Sequence, residues 1–192
     1  PGVGLVAADM IRGTDFAELN SPAKVLPRRY VNEKHAMRKR LQVGDIVFEM
    51  AGGTAKQSTG RSALITKAFL DQRGDTTVLC ASFCRHLRLD QSKYDPQYVS
   101  YVLQALYGAG YMAVFNVQHT GVSRFQYTSF KKHTVLVMPS LAVQQKIAAI
   151  LSAYDGLIAN NQRRITLLER MAEDIYREWF VHFRFPGNES TP

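Results

Sequence analysis

The loop Ala51-Gly52-Gly53-Thr54-Ala55-Lys56-Gln57-Ser58-Thr59-Gly60-Arg61 holds side chains that bind phosphates and read base edges. Its glycines allow close backbone approach. Lys56 and Ser58 suit phosphate oxygens, while Gln57 and Arg61 suit adenine and guanine edges respectively. The loop fails as a nucleotide cradle, because Gly53 and Gly60 stand too far apart for a P-loop and Arg61 replaces its lysine. A second group, Thr120, Ser123 and Arg124, lies in residues 101–143, a segment without a single Asp or Glu. Arg28 and Arg29 form a third, inside a Pro-punctuated basic stretch. These nine residues are the candidate nucleic-acid contacts: Arg28, Arg29 and Lys56 for phosphates, Arg124 beside Thr120 and Ser123 likewise, and the loop Lys56–Arg61 for the major groove. A solvated basic face is the competing reading of each group.

Catalytic chemistry finds no such support. No carboxylates recur in a pattern, no serine sits in a nucleophile elbow, and the five histidines are scattered. Cys80 and Cys84 lie in an apolar run and read as small buried hydrophobes. Their spacing is not that of a zinc site, and no second ligand pair follows. No metal and no cofactor is expected.

The charge distribution supports the binding reading. The net charge is +8, and residues 1–143 carry all of it, with 18 Lys+Arg against 10 Asp+Glu; residues 144–192 hold 6 against 6. A basic globular part is the electrostatic footprint of a nucleic-acid binder. With no signal peptide and no apolar run near 18 residues, the chain reads as soluble and cytoplasmic.

The elements that must position these side chains are short. Residues 1–16 read as extended pieces around turns. Residues 41–50 read as a turn leading into a buried strand that feeds the glycine loop. Ala63–Phe69 and Thr76–Phe83 read as two strands joined by a turn at 71–75. Tyr94-Asp95-Pro96 opens an amphipathic helix over Gln97–Leu106, with Val99, Val102, Leu103 and Leu106 on one face. Thr134–Met138 reads as a last strand. The fold class is α+β: a mixed α/β recognition domain with a β-rich core over 1–139, a long coiled-coil helix over 140–185, and a flexible tail over 186–192.

The helix shows the strongest periodicity. Ile147, Leu151, Tyr154, Ile158, Asn161, Ile165, Leu168, Ala172, Ile175 and Trp179 follow one another in alternating steps of four and three. That is the 3.5-residue repeat of a left-handed coiled coil, sustained over about 50 Å at roughly 1.5 Å per residue. Asn161 occupies a core position, where one polar residue costs stability but fixes register and partner number. Pro139 and Ser140 open the helix, Pro186-Gly187 closes it, and Gly156 weakens it by about 1 kcal/mol against alanine. The chain carries no second helix of matching length and register, so the seam's partner is expected in another chain or in a part of the protein outside this sequence; on its own, the chain is expected to pair with a second copy, antiparallel, as a homodimer.

The residues Pro139-Ser140-Leu141-x-x-Gln144-x-Lys146-Ile147-Ala148-x-Ile150-Leu151, Leu167-Leu168-Glu169-x-Met171-Ala172 and Tyr176-Arg177-Glu178-Trp179-Phe180-Val181-x-Phe183 resemble the helical region of the specificity subunit of type I restriction-modification systems. Arg12-Gly13-x-Asp15, Leu41-x-x-Gly44-Asp45-Ile46-Val47, the Gly52-Gly53 to Gly60-Arg61 loop, Tyr94-Asp95-Pro96-x-Tyr98 and Thr120-Gly121-Val122-Ser123 resemble a target recognition domain of that family. The resemblance implies a non-catalytic DNA reader. One recognition domain reads half of a split target in double-stranded DNA, and the helix sets the spacing and docks the methylation and restriction subunits. S-adenosylmethionine, ATP and Mg would belong to those partners. A full subunit has two recognition domains and two helices; this chain has one of each, as a half-subunit or a fragment. Two other classes stay open, the recognition domain of a truncated DNA methyltransferase and a non-specific nucleic-acid-binding coiled-coil protein.

Overall fold

The computed structural model describes residues 4–19, 24–53, 57–119 and 122–188. They divide into two compact units, residues 1–148 and 149–192. The first unit takes in the opening turns of the long helix, whose Gln144 and Ala148 are buried.

Among the described residues the first unit is built from three small sheets. β1 (Leu5–Ile11) lies between antiparallel β2 (Arg28–Asn32) and parallel β6 (Thr77–Cys80). β3 (Ile46–Glu49) lies between β5 (Ser62–Leu64) and β7 (Cys84–Leu87), antiparallel to both. β9 (Val122–Phe125) lies between β4 (Ala51–Gly53) and β8 (Asn116–His119), again antiparallel. The helices are α1 (Glu33–Lys39), α2 (Lys67–Asp71), α3 (Pro96–Gly108), α4 (Tyr127–His133) and α5 (Leu141–Tyr176). None is long and apolar enough to cross a membrane.

β3 is buried along its whole length. Successive residues of a strand face opposite sides. Val47 therefore joins one core with Ile11, Leu41, Ile65 and Phe69, while Ile46 and Phe48 join another with Leu103, Met112, Phe115 and Phe125. The second core is largely aromatic, with Phe48 and Phe125 edge-to-face at 4.9 Å and Phe115 and Phe130 at 5.4 Å. Such pairs add about 1 kcal/mol each beyond the area they bury. α3 begins where the sequence places it: the Asp95 carboxylate accepts from the Tyr98 N–H at 2.8 Å, and Pro96 fills the first helical position.

Three sequence expectations change. Residues 63–69 and 76–83 do not form a hairpin. The Thr66 hydroxyl caps α2, accepting from Phe69 N–H at 3.1 Å. The chain then crosses over so that β6 pairs in parallel with β1, which a tight turn could not achieve. Residues 134–138 are not a strand. No ladder partner meets them, Val135 and Val137 are exposed, and the helix α4 precedes them where the hydroxyl-rich sequence gave no helical pattern. The long helix is α-helical only to Tyr176; Arg177–Val181 widens into a π turn and Phe183 is left-handed at φ 54°. Residues 189–192 of the expected tail lie outside the described residues.

Gln144 anchors the start of α5. Its amide oxygen accepts from Asp95 N–H at 2.9 Å, and its amide nitrogen donates to the Pro139 and Lys93 carbonyls at 2.9 and 3.2 Å. Gln144→Leu keeps the volume but orphans these buried backbone groups, and should lower unfolding stability by about 2 kcal/mol, read as a lower urea midpoint at unchanged slope. Gly156, whose added Cβ would meet nothing within 4 Å, gives the opposite result. Gly156→Ala should stabilise α5 by about 1 kcal/mol, seen as a higher helical melting temperature by circular dichroism.

Candidate nucleic-acid interface

The glycine loop and the acid-free segment meet in one sheet. Gly53 at the end of β4 pairs with Ser123, Ala51 with Arg124, and His119 with Val122 across the β8–β9 hairpin. A buried polar hub fixes the loop there. The Asn116 carboxamide oxygen accepts from the Thr59 backbone at 3.0 Å, from the Thr59 hydroxyl, and from the Ser123 hydroxyl at 3.0 Å. Its nitrogen donates to Met112 O at 2.9 Å. Tyr107 OH donates to Ser58 O at 3.0 Å. Gly60 sits at φ 100°, and a Cβ there would press on Phe125 and Met112. So the loop is pinned from Ser58 to Arg61. None of Asn116, Thr59 or Tyr107 stood out in the sequence; the absence of acids over 101–143 was the one signal that pointed to their neighbourhood.

Arg61 is committed inward. Its Nε and Nη2 donate to Glu49 Oε2 and Oε1 at 2.9 and 2.6 Å, and Nη2 also reaches Gly13 O at 2.8 Å. The hydrogen bonds to Glu49 raise its pKa further above the ordinary guanidinium range. Glu49 is fully buried, on the same strand face as Val47. A Cβ at Gly13 would collide with the Glu49 carboxylate, which is why a glycine stands there. The base contact expected of Arg61 would require this pair to open. Ser123 is 3% exposed, its hydroxyl spent on Asn116.

The remaining candidates spread over the surface. Arg28 Nε donates to Asp9 Oδ1 at 2.9 Å, and this pair raises the pKa of Arg28. Arg29, Gln57 and Arg124 are exposed and Ser58 is half-buried. Lys56 and Thr120 lie outside the described residues. The structure thus holds the 57–61 loop, through Asn116, beside the sheet that carries 123–124, and places Arg28 and Arg29 on β2 of another sheet. Cys80 and Cys84 are half-buried free thiols, each pushed up to about 12 chiefly by burial, which removes thiolate chemistry near neutrality.

Two further buried carboxylates brace the unit. Asp15 accepts from Arg12 through backbone and side chain at 2.9 to 3.1 Å, and Lys24 lies 3.3 Å away. Burial alone would raise its pKa, but the bonds from Arg12 and Lys24 outweigh that and hold it below the ordinary carboxylate value. Asp45 receives a two-point contact from Arg88 at 2.8 and 2.7 Å and the Gln42 N–H at 2.8 Å.

Comparison with known proteins bears out the resemblance drawn from the sequence. The chain is 38% identical over 58 residues to the type I restriction enzyme MjaIX specificity subunit of Methanocaldococcus jannaschii, a match covering 30% of this chain and 13% of that protein. Its fold matches the HsdS subunit from Thermoanaerobacter tengcongensis, with TM-score 0.54 and 14% identity over 91% of this chain and 42% of that one. It also matches a chain from a structure of the assembly and conformational transition of the type I restriction-modification system, with TM-score 0.55 and 13% identity over 96% and 44%. The chain therefore spans under half the length of these relatives. No protein-family model matches it.

Two stability predictions follow from the buried pairs. Arg61→Ala should cost about 3–5 kcal/mol in a denaturant titration by stranding Glu49, and the apolar double variant Glu49→Leu with Arg61→Leu should recover most of that loss. For Asp15, a lowered folded pKa means stability that is present above the unfolded value near pH 4 and lost as pH falls through the folded value. Asp15→Asn should be less stable at neutral pH and should flatten the stability curve below about pH 4.

Proposed function

We propose that this chain is a DNA-recognition unit of a type I restriction-modification complex, reading half of a split target and carrying no catalysis of its own. The sequence match to a specificity subunit, in a chain that follows the HsdS fold over nine tenths of its length, carries this reading. Methyl transfer with S-adenosylmethionine and ATP-driven restriction fall to the methylation and restriction subunits. Double-stranded DNA lies against the basic first unit. Gln57 and the tip of the 53–58 loop enter the major groove beside Arg124. Arg29, Lys56, Ser58 and Thr120 hold phosphates, and Arg28 does so only on release from Asp9, while Arg61 and Ser123 fix the glycine loop beside Arg124.

The helix supplies assembly. Its apolar seam is exposed from Tyr154 to Trp179, including Ile158, Ile165, Leu168 and Ile175. The steps of four and three read the same from either end, centred on Arg163. A second copy running antiparallel therefore meets the seam residue for residue, Ile147 opposite Trp179 and Ile158 opposite Leu168. The paired helices would carry two recognition units at opposite ends, the spacing that a split target needs.

Two measurements test this. Light scattering at tens of micromolar should give a dimer of the 21.6 kDa chain, and Ile158→Asp with Ile165→Asp should return it to a monomer; a wild-type monomer would sink the pairing. Fluorescence anisotropy with the methylation subunit present should show preference for target duplex over random duplex. Gln57→Ala should cost about 1–3 kcal/mol and relax choice at one base pair, whereas Arg29→Ala should weaken all sequences alike and reduce the salt slope by about one. Equal affinity for target and random duplex would leave the non-specific binder as the answer. Binding of S-adenosylmethionine by the purified chain alone would instead favour the truncated-methyltransferase alternative, and methyl transfer by it would overturn the non-catalytic reading.

A further inference from the structure

A cleft of about 580 Å³ opens beside the aromatic core, between β7 and α4. Arg85, Gln126, Thr128, Ser129, Lys132 and His133 line it, over an apolar floor of Met50, Phe125 and Tyr127. No Asp or Glu lines it, because most of its wall comes from the acid-free stretch of the chain. Neither Arg85 nor Lys132 makes an ion pair among the described residues. Elsewhere in the same unit Arg12, Arg28, Arg61 and Arg88 each hold a carboxylate. The comparable cleft around Arg28, Lys24 and Arg73 is internally compensated: Arg28 is spent on Asp9, Lys24 on Asp15 and Glu18, and Arg73 on two backbone carbonyls.

Arg85 is oriented as well as unpaired. Its guanidinium carbon lies 4.7 Å from the centroid of the Tyr127 ring. Stacking on an aromatic face fixes the plane of the guanidinium and leaves its edge N–H groups free to form a two-point contact with an anion. A planar donor fork, an ammonium, two hydroxyls and an amide around one cleft, with no acid to oppose them, is the donor set that phosphate oxygens require.

We propose that this cleft is a phosphate-binding site in which Arg85 and Lys132 supply the charge and Tyr127 orients Arg85. The phosphate comes from a polynucleotide backbone or from a free phosphate. The first source rests on the DNA-binding reading given above; the second does not. A backbone phosphate held here would fix how the duplex lies on the unit without reading sequence, since the cleft sits at the Phe125 end of β9 while the recognition loop meets its Ser123 end.

Nuclear magnetic resonance on the full chain tests it with two probes, inorganic phosphate and a duplex of random sequence, each against chloride at equal ionic strength. Phosphate should shift the Arg85 side-chain Nε–H and the Gln126 and Lys132 signals, and chloride should not. Duplex should shift the same signals and displace phosphate from them. Arg85→Ala with Lys132→Ala should abolish the phosphate shifts and reduce the salt slope of duplex affinity by about one to two units. Tyr127→Leu should weaken phosphate binding while leaving both cations in place. Phosphate shifts without displacement by duplex assign the site to free phosphate. Phosphate shifts in a chain that binds no duplex keep the site and overturn the DNA reading. If neither probe moves these signals, the site is wrong and the DNA reading stands on its other residues.

Discussion

The first unit depends on carboxylates buried against arginines. Asp45 lies just before β3 and Glu49 at its end, both almost wholly out of water. A charge in such a place is tolerated only when paired and hydrogen-bonded, and each receives an arginine at two points. Arg88 comes from just past β7 and Arg61 from just before β5, the two strands that flank β3. The pairs therefore clamp the central sheet at both ends of its middle strand. Arg61 extends the clamp to the turn at Gly13, and Arg88 extends it to the Arg40 carbonyl at 3.1 Å. Replacing such pairs with apolar residues is often neutral for stability. Their value here is geometric, since a one-residue slip of β3 would leave two unpaired charges inside the protein.

This arrangement changes what the recognisable parts of the sequence mean. Arg12-Gly13-x-Asp15, Gly44-Asp45, Gly60-Arg61, Asp95-Pro96 and Gln144 carry the likeness to specificity subunits. In the structure they are a cap, a collision-free glycine, two buried ion pairs, a helix start and a backbone lock. They form the frame. Gln57, Arg124, Arg29 and Arg85 are exposed and lie outside these motif residues. Such a frame leaves the surface positions free to differ between proteins that keep one fold.

What could be read from the sequence follows from this division. β3 was legible because a strand buried on both faces shows as an unbroken apolar run, and α3 because Asp95-Pro96 is a local start signal. The heptad seam was legible because only its period was needed. Arg61 was misleading: an arginine after a polar glycine loop has the same local sequence whether it faces DNA or a glutamate twelve residues earlier. Nothing in the order of residues announces that Glu49 is buried. The parallel pairing of β6 with β1 and the helix α4 were hidden for the same reason, since both are decided by distant partners rather than by neighbours in the chain.

The charge of the first unit also looks different once pairs are removed. Arginines held by carboxylates contribute little to the outer field. Among the described residues, most of the first unit's cations left without a carboxylate fall on or just past β2 and α1, at Arg29, Lys34, Arg38, Lys39 and Arg40, and around β7, β9 and α4, at Arg85, Arg124, Lys131 and Lys132; Arg73, held by backbone carbonyls, and Lys146 on α5 lie elsewhere. Salt screens such exposed charges within about 10 Å at 0.1 M. The helix seam is apolar, and its residues 144–192 are electrically balanced, so its pairing should resist salt that strips the basic unit of polyanion. In the function proposed above, assembly and nucleic-acid attachment would thus draw on different forces, and ionic strength would separate them.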